Sequence, residues 1–539
     1  MNFGLPHVYH QDEAIVVNHA LAVGVEGWNT RTYLPPQFAS YALFFVYAFF
    51  YAGGHLFGIF PGPSDFALAF LTDPAPFYLL GRLFLGAAFG TATVLAVHRL
   101  GRFFSGTCAV LAALFLAVDF LHVQHSHYIY MDIALTLATT LLFCSMLEGL
   151  GRPSWKNAAA QGLLFGWAVA AKYTAVYFFP VIALAFFLAE GRSAEKIKRT
   201  ALAGALSVAA YAAISPYSFL DWSNFISQVK GQSGARGFSG PFHHLTYSLA
   251  GGVGILFLLT AAAGLALLLK ERDKKGFVLA AGAVLYYLVN VFFSQSFARY
   301  MMPLVPVLCV TAAFAVERIL KNGRNRPVKY AFLALMLLEM LVPTVYSDYL
   351  FTTEDTRTEC LRWFDENAAG GSGVAVDNRF FGPRLTQSAE QIREKYASFP
   401  EGEPPDARKK RLDLQQKAIE KKKTYRVFVL FEGDKEDPRS FMFLRPFVRA
   451  SREEFESKGI RYLVLNYSEI HPGYHALKSV PGWELKTSFS PFWDPSKKEV
   501  SDKDASTAAP HLLPDLLSRR RLGPYLEVYE WKQAGASQP

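Results

Sequence analysis

The sequence predicts a polytopic α-helical membrane protein that carries a soluble α/β domain at its C-terminal end. Three observations predict it. Charged residues make up 18% of the 539 residues, below the ~25% of a soluble chain, while 52% are hydrophobic and 47 are Phe. The deficit in charge is concentrated between Phe77 and Tyr349, where one apolar run follows another, each near the ~20 residues that a bilayer demands. Lys and Arg then recur in every second connection between the runs. The chain divides into residues 1–76, an outer loop with an acidic pair and an interfacial helix; residues 77–350, the spanning domain; and residues 351–539, the α/β domain.

In chain order, Asp12 and Glu13 stand ahead of a helical pattern from Ala14 to Val23, so charge in a helix first turn is one reading of the pair. The run from Phe38 to Phe60 is preceded by Pro35-Pro36, and Gly53-Gly54 is expected to break it short of a span. Residues 1–36 hold one Arg (Arg31) against Asp12, Glu13 and Glu26, which is not a cytoplasmic signature. The run is therefore read as a helix in the outer interface. About ten spans follow, near 77–98, 105–122, 130–149, 158–172, 174–190, 200–214, 249–270, 277–294, 301–320 and 329–347.

The basic connections hold Arg99 and Arg102, then Arg152 and Lys156, then Arg192, Lys196, Lys198 and Arg199, then Lys270, Arg272, Lys274 and Lys275, and last Lys321, Arg324, Arg326 and Lys329. This alternation puts those five loops in the cytoplasm, and the segment before Phe77, the other loops and everything after Asp348 outside. An outer N-terminus with no span before it is hard to translocate, so a spanning helix ahead of this start is expected. The net charge of +9 lies largely in these short loops, where it sets topology, and does not point to nucleic acid. Cys108, Cys144 and Cys309 fall in apolar runs and Cys360 stands alone beyond them, which argues against a disulfide framework.

Several segments together carry a family resemblance. They are Gly4-Leu5-Pro6 with Tyr9-His10-Gln11-Asp12-Glu13, Tyr33-Leu34-Pro35-Pro36, Gly81-Arg82-Leu83, His125-Ser126-His127-Tyr128 with Asp132, Lys172-Tyr173-Thr174, and Arg299-Tyr300-Met301-Met302-Pro303-Leu304-Val305-Pro306. In this order they resemble the dolichyl-phosphate-mannose protein mannosyltransferase superfamily, glycosyltransferase family 39, which includes lipid A aminoarabinose-type transferases. The resemblance covers roughly residues 4–350. It implies a GT-C fold and transfer of a sugar from a polyprenyl-phosphate donor to a protein, lipid or glycan acceptor on the outer face. The localisation implied is an integral membrane protein, in the bacterial inner or plasma membrane, with site and C-terminal domain extracytoplasmic. The family's first spanning helix has no counterpart here, in line with the expectation of a missing one.

Such transfer needs a base for the acceptor proton, cations for the leaving phosphate and an apolar groove for the lipid tail. Asp12 is carried over as the base, and Glu13 as a group that orients the acceptor or holds a cation. Lys172 ends an apolar run and reads as a headgroup-seeking anchor or a phosphate ligand. Arg299, beside Tyr300, reads as an interfacial anchor or a bidentate phosphate grip. Arg82 and Asp132 lie just inside spans, where charge is costly and marks partners or a site.

A divalent ion is left open, with Glu13, His125 and His127 as candidate ligands; the His-x-His spacing would need an irregular loop, and interfacial hydrogen bonding by His122, His125 and His127 is the other reading. His243-His244 lie in a long outer loop, 216–247, whose Gly231, Gly234, Gly237 and Gly240 fit a mobile lid or plain turns. A transporter or flippase of a lipid-linked saccharide is the alternative function. It would place polar groups at mid-membrane and show paired repeats, whereas the polar residues here sit near outer helix ends and no repeat is visible.

Beyond Thr352, Gly373–Asp377, Tyr425–Phe431, Ile460–Leu465 and Tyr525–Tyr529 read as strands, with helices at Thr356–Asn367 and Arg452–Lys458 and a solvated charged helix over Arg408–Lys423. No glycine-rich phosphate loop or metal signature appears there.

Overall fold

A computed structural model describes residues 1–34, 36–233, 240–292, 297–321, 325–377, 382–397, 405–431, 446–467, 477–478, 481–499 and 510–532. Pro35, Gly234, Gly237 and Arg324, singled out from the sequence, lie outside the described residues.

Every apolar run is helical. The helices are Ala75–Gly101, Gly106–Val118, Met131–Gly151, Trp155–Ala171, Tyr173–Leu188, Ser193–Ile214, Ile255–Lys270, Lys274–Val291, Ala298–Lys321 and Arg326–Thr352. Among the described residues six helices are long and apolar enough to cross a membrane, or seven if the bent pair His244–Val253 and Ile255–Lys270 is one span. That count does not confirm the expectation of about ten spans, some of which fall on shorter helices. Gly106–Val118 has 13 residues and Trp155–Ala171 has 17, which at ~1.5 Å per residue fall short of a ~30 Å core.

The bent pair turns through 107° at Gly254. Its φ of +93° favours glycine, and a Cβ there would come within 2.6 Å of the Glu339 carboxylate. That carboxylate accepts the N–H groups of Ile255 (2.7 Å) and Leu256 (2.8 Å), which the break would otherwise leave without partners. Close helix packing elsewhere depends on small residues. A Cβ on Gly162 or Gly166 would stand 2.5 Å from the carbonyl oxygen of Ala203 or Ser207 on the facing helix.

Side-chain contacts sort the helix ends into two groups. At one end Arg99 pairs with Glu148, Lys275 Nζ donates to the Phe103 carbonyl, Ser105 donates to Glu317 and Arg318 pairs with Glu271. Four of the five basic connections meet there. The opposite end gathers Asp12, the N-terminus of Met131–Gly151, Lys172, Arg299 and Asp348.

Residues 11–72 form helices Gln11–Glu26, Phe38–Leu56 and Pro63–Thr72. The expected break at Gly53-Gly54 does not occur. The helix runs on to Leu56, and Gly54 makes room for the ring of Phe60 on the returning chain. Part of the long outer loop, Trp222–Ser233, is helical, and Gln228 accepts the Tyr33 N–H at 2.9 Å while donating to the Arg31 carbonyl at 2.8 Å.

Beyond Thr352 stands a six-stranded sheet: β1 Gly373–Val376, β2 Arg426–Phe431, β3 Phe447–Arg449, β4 Ile460–Asn466, β5 Trp483–Phe489 and β6 Leu526–Trp531. Its order is β3-β2-β1-β4-β6-β5, with the first four strands parallel and β6 running antiparallel between β4 and β5. Helix Thr356–Asn367 puts Cys360 and Phe364 on one face of the sheet, and Phe455 covers the other. The charged helix, Pro405–Ile419, is not simply solvated: it packs on Pro63–Thr72, Arg411 pairs with Glu26 at 3.1 Å, and just beyond it Lys422 donates to the Thr72 carbonyl at 2.7 Å.

Candidate active site

The first turn of Gln11–Glu26 is built by His10, whose Nδ1 accepts the Asp12 N–H at 3.2 Å as an N-cap. An Nδ1 that accepts leaves the neutral ring its proton on Nε2, and Nε2 meets the Tyr130 hydroxyl. Burial pushes the His10 pKa down to about 4, so the ring is neutral at pH 7.

Asp12 then faces Arg299, whose Nη2 lies 3.1 Å from its carboxylate. Arg299 sits on the 3₁₀ turn Ala298–Leu304 with its guanidinium 4.2 Å from the Phe297 ring and 5.3 Å from the Tyr130 ring. Its Nε is 3.9 Å from Asp132 Oδ2. Asp132, in the first turn of Met131–Gly151, accepts from Lys172 Nζ at 2.6 Å, and that ammonium lies 4.1 Å over the Tyr300 ring. The result is a chain of alternating charge: Asp12, Arg299, Asp132, Lys172. Asp12 is its most open member at 25% side-chain exposure, against 4% for Asp132. Two carboxylates and two cations therefore share one end of the helical body.

Glu13 and Arg82 pair with each other and not with the Asp12–Arg299–Asp132–Lys172 chain. One residue on from Asp12, Glu13 points inward, and Arg82 grips it with Nε and Nη2, both at 2.8 Å, with side chains 0% and 2% exposed. Glu13 also accepts the Ile129 N–H at 3.1 Å. Arg82 Nη1 donates to the carbonyls of Met1 (2.7 Å) and Phe3 (2.8 Å). Both groups tie the N-terminal segment to the helices.

Glu13, His125 and His127 do not converge. His125 is buried beside Tyr130, while His127 stacks on Phe351 at 4.7 Å with Nδ1 donating to the Val123 carbonyl and Nε2 3.6 Å from Asp348. Among the described residues no group of three or more His, Cys, Asp or Glu stands close enough to hold a metal ion. His122 binds the Gly90 carbonyl, and His244 binds Ser248 Oγ at 2.8 Å.

A cavity of about 780 Å³ lies between the N-terminal segment and the α/β body, lined by residues including His7, Asp73, Leu79 and Lys422. At Asp12 the paired charges and the rings of Tyr130, Phe297 and Tyr300 close on one another. Sequence reasoning missed His10 and Tyr130 as parts of the cluster. Both flank residues it singled out, but only the fold brings residues 120 positions apart into contact.

The helical body and this cluster define a membrane protein with paired carboxylates and cations at one helix end. Residues 77–219, which hold Asp132 and Lys172, match the family of dolichyl-phosphate-mannose-protein mannosyltransferases, as the motifs suggested. The chain is similar to ArnT from Cupriavidus metallidurans bound to undecaprenyl phosphate, at 13% identity over 90% of this chain and 93% of that one, TM-score 0.49. It is also similar to the oligosaccharyltransferase AglB from Archaeoglobus fulgidus in complex with an inhibitory peptide and a dolichol-phosphate, at 12% identity over 86% and 67%, TM-score 0.42. A third likeness is to the arabinofuranosyltransferase AftD from Mycobacteria, at 14% identity over 89% and 37%, TM-score 0.39. No curated protein matches the chain. At such identities and TM-scores the likenesses are similarity alone, and the chemistry of the site rests on its own residues.

Proposed function

We propose that the chain is a membrane glycosyltransferase that moves a sugar from a polyprenyl-phosphate donor to an acceptor hydroxyl on a protein, lipid or glycan, with inversion at the anomeric carbon. The observation that carries this reading is the Asp12–Arg299 pair, with Lys172 held beside it by Asp132. Asp12 takes the acceptor proton as the acceptor oxygen bonds to the anomeric carbon. The bond from that carbon to the phosphate oxygen breaks, and its electron pair leaves with the polyprenyl phosphate. Arg299 and Lys172 hold the charge that grows on the phosphate. Asp132 keeps the two cations together. A phosphate that takes up part of Arg299 also frees Asp12 from its ion pair, so donor binding prepares the base. The basic connections at the opposite helix ends support an extracytoplasmic site and α/β body, and the bacterial plasma membrane is the location proposed.

The test uses the full chain in lipid nanodiscs with labelled polyprenyl-phosphate sugars and mixed acceptors, the product configuration being read by NMR. Transfer with inverted configuration supports the reading. Retention would overturn the single displacement, and uptake of a lipid-linked saccharide without bond cleavage would overturn the enzyme.

A further inference from the structure

The helix Arg326–Thr352 is a candidate span, and only 22% of its most apolar window is buried, so its outward face is left for lipid. Near its end opposite the basic loops lies an apolar groove of about 580 Å³, walled by Leu341, Val342, Val345, Tyr346 and Tyr349 and roofed by Trp493 from the α/β body. The roof is latched. Trp493 Nε1 donates to the Tyr346 hydroxyl at 2.9 Å, and that hydroxyl donates to the Arg519 carbonyl at 2.7 Å. The polar edge of the indole is thus satisfied while 59% of the residue stays exposed. Helix Leu513–Leu517 packs on the same span, with Leu513 and Leu517, one turn apart, exposed at 37% and 41%.

We infer that this face seats the α/β body on the bilayer surface, with Trp493 at the headgroup level and a chain of a bilayer lipid in the groove below it. Three features select that occupant. The groove continues the lipid-facing side of a span. It reaches from Tyr349, close to the helix end, to Leu341, about 16 Å below the end at ~1.5 Å per residue, which is about half of a hydrocarbon core. Its rim is Trp and Tyr, the rings that settle at the membrane–water boundary with one edge wet and one apolar. The inference does not depend on the transfer chemistry at Asp12. It says how the α/β body is held on the same end of the helices as that site.

The experiment uses the full chain in nanodiscs made with phosphatidylcholine brominated near the top of its acyl chains. Trp493 fluorescence is isolated as the difference between wild type and Trp493→Phe, since the chain has eight Trp. The expected result is that the difference signal falls by at least half in brominated lipid and is little quenched by aqueous iodide; quenching by iodide and not by bromine overturns the inference. A nitroxide on Val345→Cys gives the second reading, because the four described cysteines are all buried. Collision with oxygen should exceed collision with a water-soluble nickel chelate. The reverse order, or dipolar broadening from a second copy seated on the groove, overturns the lipid occupant.

Discussion

Asp12 and Glu13 are adjacent carboxylates, yet their amide variants should fail in different ways. Glu13 is fully buried and accepts three hydrogen bonds, two from Arg82 at 2.8 Å and one from the Ile129 N–H at 3.1 Å. Glu13→Gln keeps the shape, removes the charge and turns an NH₂ group toward an Arg82 N–H. Breaking a buried pair by removing one partner costs about 3–5 kcal/mol, since the remaining charge stays buried without compensation. Asp12 makes one ion pair and is 25% exposed, so Asp12→Asn should cost at most about 1 kcal/mol of stability. Its loss should instead appear in turnover, by about 10²–10⁴-fold if it is the general base, with donor binding kept. Thermal unfolding and transfer rate, measured on both variants in nanodiscs, separate the two. A Glu13→Gln protein that unfolds like wild type but no longer transfers sugar would refute the reasoning, because Glu13 would then act at the reacting atoms.

Lys172→Ala should weaken donor binding more than it slows the bound donor, because a phosphate contact is made before the transition state as well as in it; an unchanged KM with a fallen kcat would contradict this. The pKa of His10 lies below its unfolded value of 6.5, at about 4, so the unfolded chain binds the extra proton first. Its contribution to stability is therefore complete above about pH 6.5, falls as pH drops toward 4 and amounts to on the order of 3 kcal/mol; His10→Asn, which keeps a capping acceptor, should flatten that part of the stability–pH profile. Glu339→Leu leaves the Ile255 and Leu256 N–H groups without an acceptor at the bend and should cost about 1–3 kcal/mol per group, seen as faster amide exchange at the start of that helix.

The positions of the helices were legible in the chain because their signals are local. Apolar runs of bilayer length and alternating basic loops act within a few residues, and they located the helices and the two groups of helix ends. Span number was less legible, since Gly106–Val118 and Trp155–Ala171 are apolar runs that stop short of bilayer length, and a Gly254 bend held by Glu339 is invisible before the helices pack. In the sheet, β1, β2, β4 and β6 were read from their apolar cores. β3, at three residues, and β5, whose Glu484 and Lys486 break the apolar pattern, were missed. The resemblance named Asp12, Asp132, Lys172 and Arg299 together with Glu13 and Arg82, and the sequence had no means to separate the two groups. The tertiary structure separates them. Asp12 meets Arg299 across 287 residues, while a rotation of ~100° per residue along the same helix turns Glu13 away from it and into the buried grip of Arg82. Residue type and local pattern determine which groups can ionise and which segments can be helical. Which cation a carboxylate meets depends on long-range packing, and only the folded chain decides it.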